Sequence, residues 1–204
     1  MKIAKHVVPA MLLLALCCIS CVPSGRGYNT AASPSGFSGR FALALPEFGT
    51  PVTPEEIESA YAQYGAAAIV RKLHAENAAN WNMIMNRIAA GDVAWIKCAA
   101  EFIIPGTDAS ATDDIVISFA YGLQTNPESV LAFLGTDPGI SAEAVCSLPF
   151  IEPEPGFLDD YAGKAVAALR RVQKAALVPS RNECLRLLRE NLARADGEYT
   201  AGRS

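Results

Sequence analysis

The amino-acid sequence predicts an all-α fold, either a compact antiparallel multi-helix bundle or an irregular array of αα-hairpins, with seven to nine helices. Between residues 53 and 196 apolar residues recur at three- and four-residue spacing, and the alternation typical of strands is almost absent. Capping residues and Pro or Gly breaks divide this region at short intervals. Such short connections favour antiparallel neighbours.

The composition requires a folded core and excludes two classes of protein. Of the 204 residues, 51% are hydrophobic and 19% are charged, which is too apolar for a chain that is disordered throughout. The longest apolar run falls short of the ~20 residues of a spanning helix, which excludes a polytopic membrane protein. The net charge of -4 argues against a nucleic-acid-binding protein, because such proteins need a basic surface.

The first predicted helix begins after Thr53. Thr53 supplies a hydroxyl N-cap, Pro54 suits the first helical position, and Glu56 completes a capping box. Gly65 can end this helix early. The apolar residues that follow at helical spacing are Ile57, Tyr61, Tyr64 and Ala68.

Two further helices are predicted before Pro105. The first ends at Gly91, and Asp92 is placed to cap the second. Pro105 and Gly106 end the second helix. The inward stripes consist of Trp81, Ile84, Met85 and Ile88 in the first and Trp95, Ile96, Ala99, Phe102 and Ile103 in the second.

The middle of the domain contains two more predicted helices and two loops. One helix starts near Asp108 or Thr112, and an Asn-Pro-Glu sequence beginning at Asn126 opens a shorter one. Residues 135–139 and 148–156 are predicted loops. The second loop is rich in both proline and acid.

The last two helices have the clearest periodicity. The stripe of the first comprises Leu158, Ala162, Ala165, Leu169, Val172 and Ala176. We expect Pro179 to break the chain, after which Ser180 and Glu183 form a second capping box for the terminal helix.

Residues 1–20 have the organisation of a secretory signal peptide. Lys2 and Lys5 precede an uncharged apolar stretch, residues 7–20. This stretch of about 14 residues is shorter than the ~17 to 25 residues of a spanning helix. We therefore expect residues 1–20 to be removed.

The end of this stretch resembles the lipobox of bacterial lipoproteins, in which a small residue precedes a cysteine that is linked to diacylglycerol. Ile19, Ser20 and Cys21 suit the motif, whereas Cys18 stands where the family usually has leucine. The resemblance implies lipidation of Cys21 and a membrane anchor on the periplasmic side of the bacterial cell envelope. Ordinary signal cleavage, which would release a soluble secreted form, is the alternative.

Residues 21–52 are predicted to form a flexible tether between this anchor and a helical domain, residues 53–204. Of the thirty residues 22–51, thirteen are Gly, Ser or Pro and three are charged. The apolar patch of residues 41–45 interrupts the tether and can dock on the domain as an extended arm or short turn.

Three cysteines lie in the predicted domain. Cys98 is flanked by aromatic residues within a helix and is expected to be buried and free. Cys146 borders a loop and Cys184 opens the last helix, so we predict a disulfide between them in an oxidising compartment. We expect no metal or cofactor, because no Cys-x-x-Cys remains after processing and His74 is the single mature histidine.

The sequence contains no catalytic motif. A Ser-His-Asp triad would require His74, whose charged neighbours are typical of a solvated helix face. Residues 106–110 lack both Gly-x-Ser-x-Gly and the Walker lysine. Neighbouring acids such as Asp113 and Asp114 could serve glycoside hydrolysis only if they were held across a cleft.

Charge is unevenly distributed along the chain. Residues 41–160 hold 4 basic and 17 acidic side chains, and residues 161–204 hold 9 basic and 4 acidic ones. Either the basic helices lie against the acidic body, or the protein presents an acidic face to a cationic partner. A third interpretation places five basic residues on anionic lipid: Arg170, Arg171, Lys174, Arg186 and Arg189.

Two pairs of residues are predicted to contact a partner. Glu152 and Glu154 lie in a loop that its prolines keep out of a helix, and such loops often carry contacts. Trp81 falls on an inward stripe and is expected in the core. Its polar neighbours Asn82 and Asn86 are the residues placed to line a groove.

Three classes of function stay open. The leading interpretation is an envelope-anchored helical lipoprotein that acts as a protein-interaction module, for example an immunity-type lipoprotein that neutralises a cationic toxin. The alternatives are an enzyme acting on cell-wall material and a structural or assembly component of the envelope. The expected partners are an unidentified protein and, through the lipid anchor, a membrane.

Overall fold

A computed structural model describes the backbone of residues 45–201 and the side chains of residues 45–195. Within this range the chain forms nine α-helices and no β-strand, so the all-α prediction and the predicted number of helices are confirmed. In chain order the helices are α1 Pro54–Tyr64, α2 Ala66–Val70, α3 Ala78–Ala89, α4 Val93–Cys98, α5 Ala109–Thr125, α6 Pro127–Phe133, α7 Ala142–Cys146, α8 Phe157–Leu169 and α9 Val178–Ala201. The predicted signal peptide, Cys21 and residues 22–44 of the predicted tether lie outside the described residues.

Four of the helix starts have the predicted caps. The Thr53 hydroxyl accepts a hydrogen bond from Glu56 N at 3.3 Å, and the Glu56 carboxylate accepts one from Thr53 N at 2.8 Å. The side chains of Asp92, Asp108 and Asn126 accept hydrogen bonds from N–H groups in the first turns of α4, α5 and α6. These caps satisfy backbone donors that have no partner inside the helix.

The start of α9 differs from the prediction. The helix begins at Val178, so Pro179 lies in its first turn and does not break the chain. Proline is tolerated there because the N–H that it lacks would have no partner within the helix. The predicted capping box of Ser180 and Glu183 is therefore wrong, and the Glu183 carboxylate instead accepts a hydrogen bond from Arg186 Nε at 3.0 Å.

Two helices continue in wider turns. Helix α2 leads into a π-helical turn, Arg71–Ala75, and α4 leads into the π-helical turn Ala99–Ile103 and a 3₁₀ turn that ends at Gly106. A β-carbon at Gly106 would lie 2.3 Å from the carbonyl carbon of Ala66. Glycine thus permits the close approach of this turn to α2.

Helix α5 is the centre of the fold. It packs against α3 and α8, and it also contacts α6 and α7, while α9 packs on α7 and α8. The buried face of α5 comprises Ala111, Ile115, Val116, Phe119, Ala120 and Leu123. Trp81 and Trp95 are also buried, as their positions on the apolar stripes predict. In the described part of the chain, no helix is both long enough and apolar enough to cross a membrane.

Residues 45–52 precede the helices, bend at Thr50 and Pro51, and are hydrogen-bonded to α3. Val52 is buried, and its N–H donates to the side-chain oxygen of Asn80 at 3.1 Å. The side-chain amide of Asn80 also donates through Nδ2 to the Gly49 carbonyl at 2.8 Å. Asn80 therefore attaches this arm to α3, and the packed part of the chain begins before Thr53.

Candidate interaction site

The site is built around a disulfide between α7 and α9. Cys146, the last residue of α7, is bonded to Cys184, and the two Cα atoms are 5.1 Å apart. This spacing lies within the usual 4.4–6.8 Å range for disulfides. The predicted pairing is thus present in the structure, and Cys98 is free and buried. The loop that follows α7 begins two residues from this covalent attachment to α9.

Residues 148–156 form the predicted proline-rich loop, and their backbone follows a tightly constrained path. Leu148 and Glu152 have φ angles of 59° and 46°, a left-handed conformation that residues other than glycine adopt rarely. Such conformations persist where the surrounding structure determines them. The loop therefore has a defined shape and ends at Gly156, whose φ of 80° suits glycine.

An aromatic cluster under the loop holds it against α5 and α8. The ring of Phe150 lies 4.6 Å from that of Tyr161, 4.9 Å from that of Phe157 and 5.3 Å from that of Tyr121, each in an edge-to-face arrangement. The buried Tyr161 hydroxyl donates to the Ala120 carbonyl at 2.9 Å. Phe150 thus anchors the loop one residue before its exposed tip.

The tip combines an apolar side chain with two acids. Ile151 is 76% exposed, more than any other large hydrophobic residue among those described. Glu152 and Glu154 are both exposed, and neither forms a salt bridge with a described residue. The two predicted acids thus follow directly after an exposed apolar residue, and their contact with a partner stays a prediction.

A groove lies beside the loop, between the N-terminal half of α8 and α9. It has a volume of about 500 Å³ and is lined by Pro153, Glu154, Leu158, Asp159, Leu192 and Ala195, among others. A second depression of about 210 Å³ adjoins it and shares Asp159 and Leu192. Its other walls include Ala162, Gly163, Val166, Leu188 and Arg189. The periodicity of the sequence placed Leu158 and Ala162 among these residues on an apolar stripe, and it did not predict the groove.

Asn82 and Asn86 do not belong to this groove. Both are exposed on α3, and neither lines the two depressions. Their predicted role in partner binding would require a second surface, and it stays a prediction.

His74 belongs to a polar cluster that its neighbours in the sequence did not predict. Its Nε2 lies 3.5 Å from Asp114 Oδ2, which also accepts a hydrogen bond from Trp81 Nε1 at 2.9 Å. Within the described residues, no serine, threonine or cysteine is hydrogen-bonded to His74, and no cluster of three or more metal-ligating side chains occurs. We therefore assign no reaction to this pair. Trp81 and His74 lie 33 or more positions before Asp114 in the sequence. Helical spacing cannot predict a contact over so long a separation.

The chain matches no protein-family model, no curated protein and no solved structure. Its function must therefore be argued from the geometry of the loop and the groove.

Proposed function

We propose that this chain is an envelope-anchored helical lipoprotein that acts as a protein-interaction module and binds a cationic protein through the loop of residues 148–156. Neutralisation of a toxin, as in an immunity-type lipoprotein, is one form of this function. The observation that carries the proposal is the exposed Ile151 at the tip of the loop, followed along the chain by two exposed acids, Glu152 and Glu154.

The shape of the loop supports this role. Association loses less free energy to ordering when the binding segment already has its bound conformation. The left-handed residues of the loop, its aromatic anchor Phe150 and the nearby disulfide all restrict its movement. Ile151 supplies apolar area, and the acids supply attraction at a distance, which raises the rate of association with a cationic surface.

The membrane anchor is the second part of the proposal. The cationic start, the apolar stretch and the Ile19-Ser20-Cys21 sequence support lipidation of Cys21. Several acyl chains on one cysteine would give stable anchoring, because each buried methylene contributes about 0.8 kcal/mol. The partner is then expected to meet the domain on the periplasmic side of the envelope.

Site-specific photo-cross-linking in cells tests the loop. A photoreactive residue replaces Ile151, and in a control variant it replaces Ala167, which is exposed on α8 outside both depressions. We expect a discrete cross-linked species from position 151 and none from position 167. The double variant Glu152→Lys with Glu154→Lys should not form this cross-linked species. In envelope extracts the yield of the cross-linked species should fall as salt rises from about 10 mM to about 150 mM, because the electrostatic screening length drops from ~30 to ~8 Å.

An equal pattern of products from positions 151 and 167 would contradict the proposal. So would a cross-link at position 151 that ignores both salt and the double charge reversal. Photoreactive residues at Asn82 and Asn86 examine the other predicted surface in the same cells.

A further inference from the structure

We infer that the groove between α8 and α9 receives an amphipathic helix of the partner, with basic side chains at the end beside Glu154 and Asp159. This inference rests on the proposed function, since it assigns the surface next to the loop to the same partner.

The dimensions of the groove suit a short helix. The two depressions share Asp159 and Leu192, so they are adjacent, and together they make up the channel. Along α8 the channel runs from Gly156 to Val166, which corresponds to about 15 Å at the helical rise of 1.5 Å per residue. A partner helix of about three turns has this length.

The walls of the channel are mainly apolar. Leu158 and Val166 come from α8, and Leu188 and Leu192 come from α9. Leu158, Val166 and Leu192 are only partly buried in the chain alone. Covering them would remove further apolar surface from water, which is the main driving force of association.

Gly163 is the observation that favours a helix as the occupant. It lies within α8, where glycine lowers helix stability relative to alanine. It is exposed, and a β-carbon added there would meet no atom of the described residues within 4 Å. The packing of the described residues therefore does not require glycine at position 163. The missing side chain instead leaves room for a second helix to approach the backbone of α8.

The charges of the channel define the chemistry of that helix. Glu154 and Asp159 are exposed at the end next to the loop and form no salt bridge with a described residue. Arg189 lies in the adjoining depression and donates through Nε to the Leu185 carbonyl of its own helix. Lysine or arginine on the partner complements the acidic end, and lysine-rich C-terminal turns also suit the helix dipole of the partner.

Filling the channel tests the inference without weakening the fold. Gly163→Leu places a side chain in the channel and should keep or raise the melting temperature, because leucine is the better helix former. Ala167→Leu is the matched control, since position 167 is exposed on α8 outside the channel. The probe is a synthetic helix of about 14 residues with leucine at i, i+3, i+4 and i+7 spacing and lysine at its other positions. A scrambled peptide of the same composition controls for charge alone.

We expect the probe to bind the mature wild-type chain and Ala167→Leu equally, and to bind Gly163→Leu at least about tenfold more weakly. The wild-type chain and Ala167→Leu should both bind the probe more tightly than they bind the scrambled peptide. Amide shifts in the nuclear magnetic resonance spectrum should map to α8 and α9. Equal binding to the two leucine variants, or to the two peptides, would overturn the inference. So would sedimentation showing self-association that Gly163→Leu abolishes, because the occupant would then be a second copy. Cross-links from residues 22–44 to the channel would likewise assign it to the chain itself.

The two proposals can fail separately. If Gly163→Leu leaves the cross-link at position 151 and probe binding unchanged, the loop proposal stands and the groove inference fails. If Gly163→Leu abolishes probe binding while position 151 gives no cross-link, the groove is a helix-binding channel and the proposed role of the loop is wrong.

Discussion

Burial controls the chemistry of single side chains in this protein, and Cys98 is the clearest example. It is 2% exposed, and desolvation raises the pKa of its thiol to about 12, with smaller contributions from Glu55, Glu58 and Glu101. Burial likewise raises the pKa of Tyr161. Both groups are neutral at physiological pH, and the protonated Cys98 thiol is a poor nucleophile.

We predict that Cys98 makes the fold less stable in alkaline solution. The unfolded thiol ionises near pH 9.0 and the native thiol near pH 12. Between these values the unfolded state has lost a proton that the native state keeps, so stability falls as pH rises. The expected loss of stability between pH 8 and pH 10 from this group is about 1.4 kcal/mol. Urea unfolding of wild type and Cys98→Ala at both pH values measures it, and equal losses in the two proteins would contradict the prediction.

Short helices depend on contacts with other elements, as α7 demonstrates. It has five residues, fewer than an isolated helix needs for stability in water. The Ser141 hydroxyl caps its start by accepting from Ala144 N at 3.1 Å, and the disulfide of Cys146 holds its end against α9. The start of the loop at residue 148 therefore depends on this attachment.

We predict that removal of the disulfide destabilises the fold and loosens the loop. The bond joins residues 38 positions apart, which in the chain-entropy model corresponds to about 3 to 4 kcal/mol of stabilisation through the unfolded state. The double variant Cys146→Ala with Cys184→Ala should lose most of this in urea unfolding, and proteases should cut residues 148–156 faster. Cys98→Ala, which removes a buried thiol outside the bond, is the matched control. Similar stability and similar loop cleavage in the two variants would show that the bond has no such role.

At the scale of the whole molecule, the charge asymmetry is preserved in the folded chain. The described salt bridges of α8 and α9 join residues of the same helix: Lys164 with Asp160, and Arg186 with Glu183 and Glu190. Among the described residues, no salt bridge links these two helices to the acids of residues 45–156. Some acids of residues 45–156 instead pair with basic residues of the same region, and an acidic face for a cationic partner stays a prediction.

The proposed lipid anchor leads to a prediction about Cys21. Metabolic labelling with a fatty-acid analogue should mark the wild-type protein, because the Ile19-Ser20-Cys21 sequence resembles a lipobox. Cys21→Ala should lose the label and leave the membrane fraction, whereas Cys98→Ala should keep both properties. Equal labelling of wild type and Cys21→Ala would instead favour ordinary signal cleavage and a soluble secreted form.

The sequence by itself determined the features that depend on neighbours a few residues apart. The caps at Thr53, Asp92, Asp108 and Asn126 are examples, because a side chain there reaches N–H groups two or three residues ahead. Helical periodicity identified buried residues such as Trp81 and Ile84 by the same local logic, although Ala176, which it placed on an apolar stripe, is exposed beyond the end of α8. The disulfide was also predicted, although Cys184 is the seventh residue of α9 and does not open the helix as expected.

Only the tertiary structure decided the features that depend on distant residues. The Phe150 ring packs with Tyr121 from α5, the Val52 N–H finds its acceptor on Asn80, and His74 meets Asp114. The channel beside the loop exists because α8 and α9 pack on each other, and no periodicity within one helix specifies that arrangement. A local pattern specifies which face of a helix is apolar, whereas the packing of the whole chain decides which apolar surface remains uncovered.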